Sequence, residues 1–230
     1  MLIFCNGMPR SASTWSFNVA MELLRRTRPA ERIHGGYEPD ENVAKFLATA
    51  PADAVHIILK CHSLDAIGLA LTRAGAAKVI YTWRDPADAI VSFQTMFSAD
   101  FEEAFASIAS SLELMRFHRR HGNALILEYE EITGKPVESV GRLAAYLGLE
   151  ACAELIAEIA AQSSIERMRD KAEQLAAVIE RDRLVQHHQT VYDKETLLHV
   201  NHIRDGSSGY GRARLTAEQW DRIAELRQRL

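Results

Sequence analysis

Leu2-Ile3-Phe4-Cys5-Asn6-Gly7-Met8-Pro9-Arg10-Ser11-Ala12-Ser13-Thr14-Trp15 is the stretch whose reading decides the fold. Leu2–Cys5 is a short uncharged apolar run and reads as a buried strand. Thr14–Arg26 carries Trp15, Val19, Leu23 and Leu24 at helical spacing. A loop of small residues joins the two. Strand, loop and helix N-terminus together make an anion site, because backbone N–H groups point outward and the helix dipole favours negative charge. Ser11, Ser13 and Thr14 add hydroxyls, and Arg10 is the loop's one cation.

Further short apolar runs alternate with helical patterns downstream. Val55–Lys60, Lys78–Trp83 and Ala124–Glu128 read as strands. Helices are expected near Leu64–Ala74 and from Pro86. Beyond Val137 the pattern turns helical, over Val137–Leu147, Ala151–Ala161 and Ser164–Val185. A Gly- and Ser-rich loop at Asp205–Gly211 precedes a last helix capped by Thr216, with Glu218 in its first turn. Buried strands alternating with helices predict an α/β fold: one domain over residues 1–230, its mostly parallel sheet flanked by helices on both faces. In such sheets ligands bind beyond the carboxyl ends of the strands.

The 230 residues suffice for one sizeable core. A net charge of −4 argues against a nucleic-acid partner, so any anion site must be local. No apolar run approaches the ~20 residues that cross a bilayer, and Met1–Cys5 is too short for a signal peptide. Three scattered cysteines, Cys5, Cys61 and Cys152, fit neither a disulfide framework nor a zinc cluster. A cytoplasmic location and no metal are therefore expected.

Nucleotide hydrolases use a phosphate loop of the form G-x-x-x-x-G-K-[ST]. Gly7 and Thr14 fit its ends, but Ala12 replaces the second Gly and Ser13 replaces the Lys. A small-molecule or nucleoside kinase on such a P-loop-like element is the alternative function. It would need that lysine, and Asp85 is its one tempting magnesium ligand. A non-catalytic nucleotide-binding protein would be marked by loss of groups such as His62 or Arg10, which are present.

Pro9-Arg10-Ser11-Ala12-Ser13-Thr14-Trp15 resembles the P-K-S-G-T-T-W loop of the sulfotransferases that use 3′-phosphoadenosine 5′-phosphosulfate (PAPS). In that family the loop holds the 5′-phosphosulfate and its Trp stacks on adenine. Other segments follow in the family's order. Lys60-Cys61-His62 is similar to the K-T-H strand end, whose His is the catalytic base. Arg84-Asp85-Pro86 with Val91-Ser92 resembles the R-N-P…V-S element, whose Arg and Ser bind the 3′-phosphate. Arg204-Asp205-Gly206 with Gly209 resembles the R-K-G-x-x-G loop over the same phosphate, Asp205 replacing a Lys. Tyr129, in Glu128-Tyr129-Glu130-Glu131, and Ser163 and Met168, in a T-S-F-x-x-M-like segment, resemble adenine contacts. Ser163 and Met168 are equally well read as capping and packing residues. The family's dimer motif would fall on Arg212, Thr216, Ala217 and Asp221, a poor match.

The resemblance implies PAPS as co-substrate, no metal, and in-line sulfuryl transfer to a hydroxyl or amine. An imidazole titrates near neutral pH, which suits His62 to taking the acceptor's proton. Lys60 shares its strand face and could steady the sulfuryl oxygens. Arg10 suits the leaving oxygen, where charge builds. The acceptor side is expected from Ile33–Glu41, Phe93–Phe105 and Arg181–His202. Tyr37, Phe93, Phe97, Phe101 and Tyr192 in those segments favour a small apolar or aromatic alcohol. Arg181-Asp182-Arg183 reads as a solvated helix face, and His118 with His121 lacks further partners for a metal.

Overall fold

A computed structural model of the chain describes residues 1–38, 40–121, 124–178, 183–187, 190–200 and 207–228. Its centre is a five-stranded parallel sheet of β1 (Leu2–Gly7), β2 (Ile33–Tyr37), β3 (His56–Cys61), β4 (Ala77–Trp83) and β5 (Ala124–Glu128). The order is β2-β3-β1-β4-β5. β1 lies centrally, with Cys5 opposite Lys60 on one side and Ile80 on the other. All five carboxyl ends therefore open on one side, and the loops after β1, β3 and β4 meet there.

The strands are apolar on both faces because both faces are covered. Ile3, Cys5, Ile58, Ile80 and Leu127 pack toward α1 (Ser13–Thr27), α7 (Pro136–Leu147) and α8 (Ala153–Gln162). Their neighbours Phe4, Leu59, Cys61, Val79 and Tyr81 pack toward α4 (Pro86–Phe97), α5 (Phe101–His121) and α10 (Ala217–Gln228). This is the period-2 alternation of a strand, with both halves apolar. Cys5 and Cys61 are buried thiols in these two layers, and burial pushes both well above their ordinary titration range.

Local signals set the helix starts. Asp65 caps α3 (Ala66–Arg73) by accepting from the Gly68 N–H at 2.8 Å. Asp85 caps α4 by accepting from the Ala87 and Asp88 N–H groups, with Pro86 at the first helical position. α6 (Tyr129–Gly134) begins with a capping box of Glu128 and Glu131.

Three expectations need correction. Ile33–Tyr37, expected only as acceptor-side chain, is an edge strand. Its glycines serve close packing: a Cβ on Gly35 would lie 2.7 Å from Met21 Sδ, and one on Gly36 3.1 Å from the Phe46 ring. The helix expected over Ser164–Val185 is α9 (Ile165–Val178), and Leu184–His187 is instead β6, paired antiparallel with β7 (Thr190–Asp193). Arg183 is accordingly not on a solvated helix face. It binds the buried Asp193 at 3.0 Å and Glu195 at 3.1 Å, which ties down the hairpin. Arg181 and Asp182 lie outside the described residues, as do Arg204, Asp205 and Gly206 of the expected phosphate loop.

Candidate active site

The loop after β1 turns sharply through two residues in the left-handed region, Arg10 at φ 68° and Ala12 at φ 72°. It is stitched to the neighbouring strand end. The Met8 N–H donates to Thr82 O at 2.9 Å. The Ser11 hydroxyl lies 2.6 Å from Met8 O and 2.8 Å from the Thr82 hydroxyl. Gly7 permits this: a Cβ there would sit 2.2 Å from Thr82 Oγ1. Ser11 is fully buried, so its hydroxyl builds the loop.

Ala12 stands at the N-cap of α1 and offers no side-chain cap, and the first turn holds no acid. The first-turn amides of Ser13, Thr14 and Trp15 have no intrahelical acceptor. A helix start stripped of its own cap and carboxylates suits an external anion. The only charge on the loop itself, Arg10, donates from Nε to Ser92 Oγ at 2.9 Å. That bond joins the first loop to α4, so two sites separated in sequence share one wall.

His62 follows the last residue of β3 and turns back onto the loop. Its Nδ1 donates to Gly7 O at 2.7 Å. A carbonyl can only accept, so this bond assigns the proton to Nδ1 and leaves the Nε2 lone pair available. Lys60 Nζ donates to that Nε2 at 3.2 Å. Burial, then the Lys60 charge, lowers His62 to about 3, so the imidazole is neutral. Burial lowers Lys60 to about 8, with Glu41 opposing. A neutral imidazole and an easily deprotonated ammonium therefore sit side by side at the loop.

Arg84 is 4 % exposed and lies over two tyrosine rings, 4.0 Å from the Tyr129 ring centre and 5.4 Å from that of Tyr210. Asp88 is 3.7 Å away. One guanidinium nitrogen donates to Ser207 O, at the edge of the C-terminal loop. The Arg84 Nε is buried and meets no acceptor among the described residues. A buried cation with an unanswered donor, beside an uncapped helix start, fits a doubly anionic nucleotide.

Several contributors were not foreseen. Asp88 accepts from the Gly209 N–H at 2.6 Å and the Gly211 N–H at 2.7 Å, pinning the C-terminal loop over Arg84. Its place in the first turn of α4 looks like ordinary dipole compensation, so no signal marked it. Tyr210 also meets Arg84 through its ring. Thr82 supports Ser11, and Gly7 orients His62 through its carbonyl.

Trp15, Ser163 and Met168 are buried. Trp15 packs in the α1 layer, the Ser163 hydroxyl donates to Ile159 O at 2.5 Å, and Met168 packs with Ala172, Leu175 and Leu198. Among the aromatic residues expected near the acceptor, Tyr37 and Tyr192 meet edge to face at 6.1 Å, with Lys60 Nζ 4.8 Å from the Tyr37 ring centre. His199 stacks on Tyr192 at 5.2 Å. Phe101 instead packs with Phe105 beneath Arg222 of α10. Phe93 and Phe97 pair at 4.7 Å along α4.

Comparison with known proteins agrees with this geometry. The sequence matches the sulfotransferase domain family over residues 3–228. Mouse sulfotransferase SULT7A1 complexed with PAP has the same fold, with a TM-score of 0.67 at 20% identity, covering 98% of this chain and 81% of that one. Retinol dehydratase in complex with androsterone and inactive cofactor PAP gives a TM-score of 0.66 at 16% identity, over 98% and 79% of the two chains. Retinol dehydratase with retinol and PAP gives 0.65 at 14% identity, over 98% and 80%. A search of curated proteins found no significant match. With the match running over residues 3–228, and the loop after β1, His62 and Arg84 brought together at the carboxyl ends of neighbouring strands, this chain belongs to the sulfotransferase domain family.

Proposed function

We propose that residues 1–230 act as one sulfotransferase domain in which His62 takes the proton of a small-molecule hydroxyl or amine, Lys60 steadies the transferred group and Arg10 stabilises the leaving oxygen. PAPS, bound at the first loop, supplies the sulfuryl group. The observation that carries this reading is the His62 Nδ1–H bond to Gly7 O, which turns a neutral Nε2 lone pair into the cleft. Geometry comes first for a general base, and this ring is already oriented.

Lys60 and an acceptor hydroxyl compete for that lone pair. An anion on the loop would draw the ammonium away from Nε2, and its negative charge would raise the proton affinity of the imidazole from its resting value of about 3. The base is thus released when the donor nucleotide is in place. Backbone amides at the start of α1 hold the 5′ end, with Ser11, Ala12, Ser13 and Thr14 in that role. Arg84, Ser92 and the loop of Arg204, Asp205 and Gly206 take the 3′-phosphate. Likeness to the family supports adenine contacts from Trp15, Tyr129, Ser163 and Met168.

The acceptor reading is a small apolar or aromatic alcohol, supported by Tyr37 and Tyr192 beside Lys60. The solved retinol dehydratase complexes hold androsterone and retinol, which points the same way. Among the described residues no helix is long and apolar enough to cross a membrane. Free thiols at Cys5, Cys61 and Cys152 support a cytoplasmic setting.

Calorimetric titration with 3′-phosphoadenosine 5′-phosphate (PAP), against ATP with magnesium, tests the nucleotide assignment. PAP should bind and ATP should not. Preference for ATP would move the site to a kinase reading.

A further inference from the structure

We infer that Glu41 is a positioning residue for His62, holding the base from behind by its main chain. The inference rests on the reading of His62 as the base. β3 ends at Cys61, whose partner on β1 is Asn6, so the amides of His62 and Ser63 lie past the last ladder pair. A side-chain carboxylate takes the place of the missing strand. Glu41 Oε1 accepts from the Ser63 N–H at 2.8 Å and the His62 N–H at 3.1 Å. Its other oxygen meets the Ser63 hydroxyl.

A return bond makes the tie reciprocal. Asp65, just after His62, accepts from the Val43 N–H at 3.0 Å, at the start of α2 (Val43–Ala48). The segment after β2 and the segment after β3 are therefore pinned in both directions. Glu41 reaches its post in the left-handed region, at φ 54°, which is uncommon for a residue with a side chain. The turn before it closes through the Glu41 N–H, which donates to Glu38 O at 3.0 Å. From that turn the Glu41 carboxylate reaches out to make three acceptor contacts just past the end of β3. Tyr37, four residues earlier, lies opposite Lys60 in the sheet register. Glu41 thus ties the loop beside the acceptor wall to the backbone that carries the base.

Gly7 O holds the imidazole at Nδ1, Lys60 meets it at Nε2, and Glu41 holds the backbone behind it. Removing Glu41 leaves the ring's own bonds on a main chain that has lost this acceptor. The test is nitrogen-15 NMR of the histidine rings in the full chain at neutral pH, with His62 assigned by its absence in His62→Gln. PAP affinity is measured on the same samples. Wild type should report the Nδ1–H form at His62. Glu41→Ala should lose that signal for the mixture of a free imidazole, while PAP affinity changes by no more than about twofold, as for a site outside the nucleotide contacts. Glu41→Gln retains an oxygen for both amides and should keep the wild-type ring. If Glu41→Ala does not fold, Glu41→Asp is read in its place, since its carboxylate is one methylene too short. An unchanged His62 ring in the Ala or Asp variant overturns the inference, and so does loss of the Nδ1–H form in Glu41→Gln. Failure of the wild type to bind PAP would overturn the nucleotide reading instead and leave the ring measurement intact.

Discussion

His62 and Lys60 show how two adjacent groups can be poised chiefly by burial. Among the described residues neither touches a carboxylate at its charged atom, and desolvation is the largest influence on each, ahead of the Lys60 charge on His62. Replacing His62 with Ala should reduce turnover by about 10²–10⁴-fold, the usual contribution of a positioned base. PAP affinity should be nearly unchanged, because the imidazole's partners are Gly7 O and Lys60. A loss smaller than about tenfold, measured with PAPS and a panel of phenols and alcohols, would take His62 out of the base role. Arg84 has a different task. Its unanswered Nε implies an acceptor from outside the chain. Arg84→Ala should weaken PAP about 10–100-fold, the scale of one or two charge-assisted bonds. Adenosine 5′-phosphate, which lacks the 3′-phosphate, should be affected far less. Equal losses for the two nucleotides in calorimetry would refute the assignment.

The loop between β1 and α1 is strained where the family's pattern has glycine. Ala12 sits at φ 72°, ψ 28°, where a side chain costs about 1–2 kcal/mol. Ala12→Gly relieves this but loosens the unfolded chain by about 0.4–1 kcal/mol. The balance should favour the variant, raising the melting temperature by roughly 1–4 °C for a chain of this size. A lower melting temperature in scanning calorimetry would mean that the Ala12 methyl, which packs on the α1 layer, contributes more than the strain costs. Other elements show why parts of the chain were misread. Ile33–Tyr37 was expected only as acceptor-side chain, because Gly35 and Gly36 interrupt any apolar run. Their actual role is to admit Met21 and Phe46 against the sheet edge. Leu184 and Val185 extend a charged helical pattern on paper, yet they pair with Tyr192 and Asp193 across a hairpin. That pairing is a contact between segments and leaves no local trace.

Over the whole molecule, two neutral histidines, half-buried His62 and buried His118, couple folding to pH. Burial lowers His62 to about 3 and His118 to about 4, both from an ordinary value of 6.5. Above pH 6.5 both are neutral in the folded and unfolded chains, and neither affects stability. Below it the unfolded chain takes up protons that the folded chain refuses, so stability falls as pH falls. Each group contributes at most about 1.4 kcal/mol per pH unit. The melting temperature should therefore drop between pH 7 and pH 5, before most carboxylates titrate. His118 donates from Nε2 to Asn6 Oδ1 at 2.9 Å inside the α5 layer. His118→Gln can keep that bond and should roughly halve the slope. A slope identical to wild type would show that His118 is protonated in the folded state.

Much of this protein was legible in its sequence because the signals are local. An apolar run, a small-residue loop and an amphipathic helix in succession dictate a strand, a turn and an anion-seeking helix start, whatever surrounds them. The spacing of Lys60 and His62, and the order of the segments through Arg84 and Ser92, follow from the same one-dimensional pattern. Tertiary structure decided what depends on contact between distant segments. It turned the Ser11 hydroxyl inward to Thr82, gave Arg10 to Ser92, and set Asp88 to hold the C-terminal loop. It also packed half-buried His62 between buried Lys60 and Gly7 O, and so chose which atom of the imidazole carries the proton. Hydrogen-bond partners and desolvation are properties of a packed neighbourhood, and a neighbourhood exists only after the chain has closed on itself.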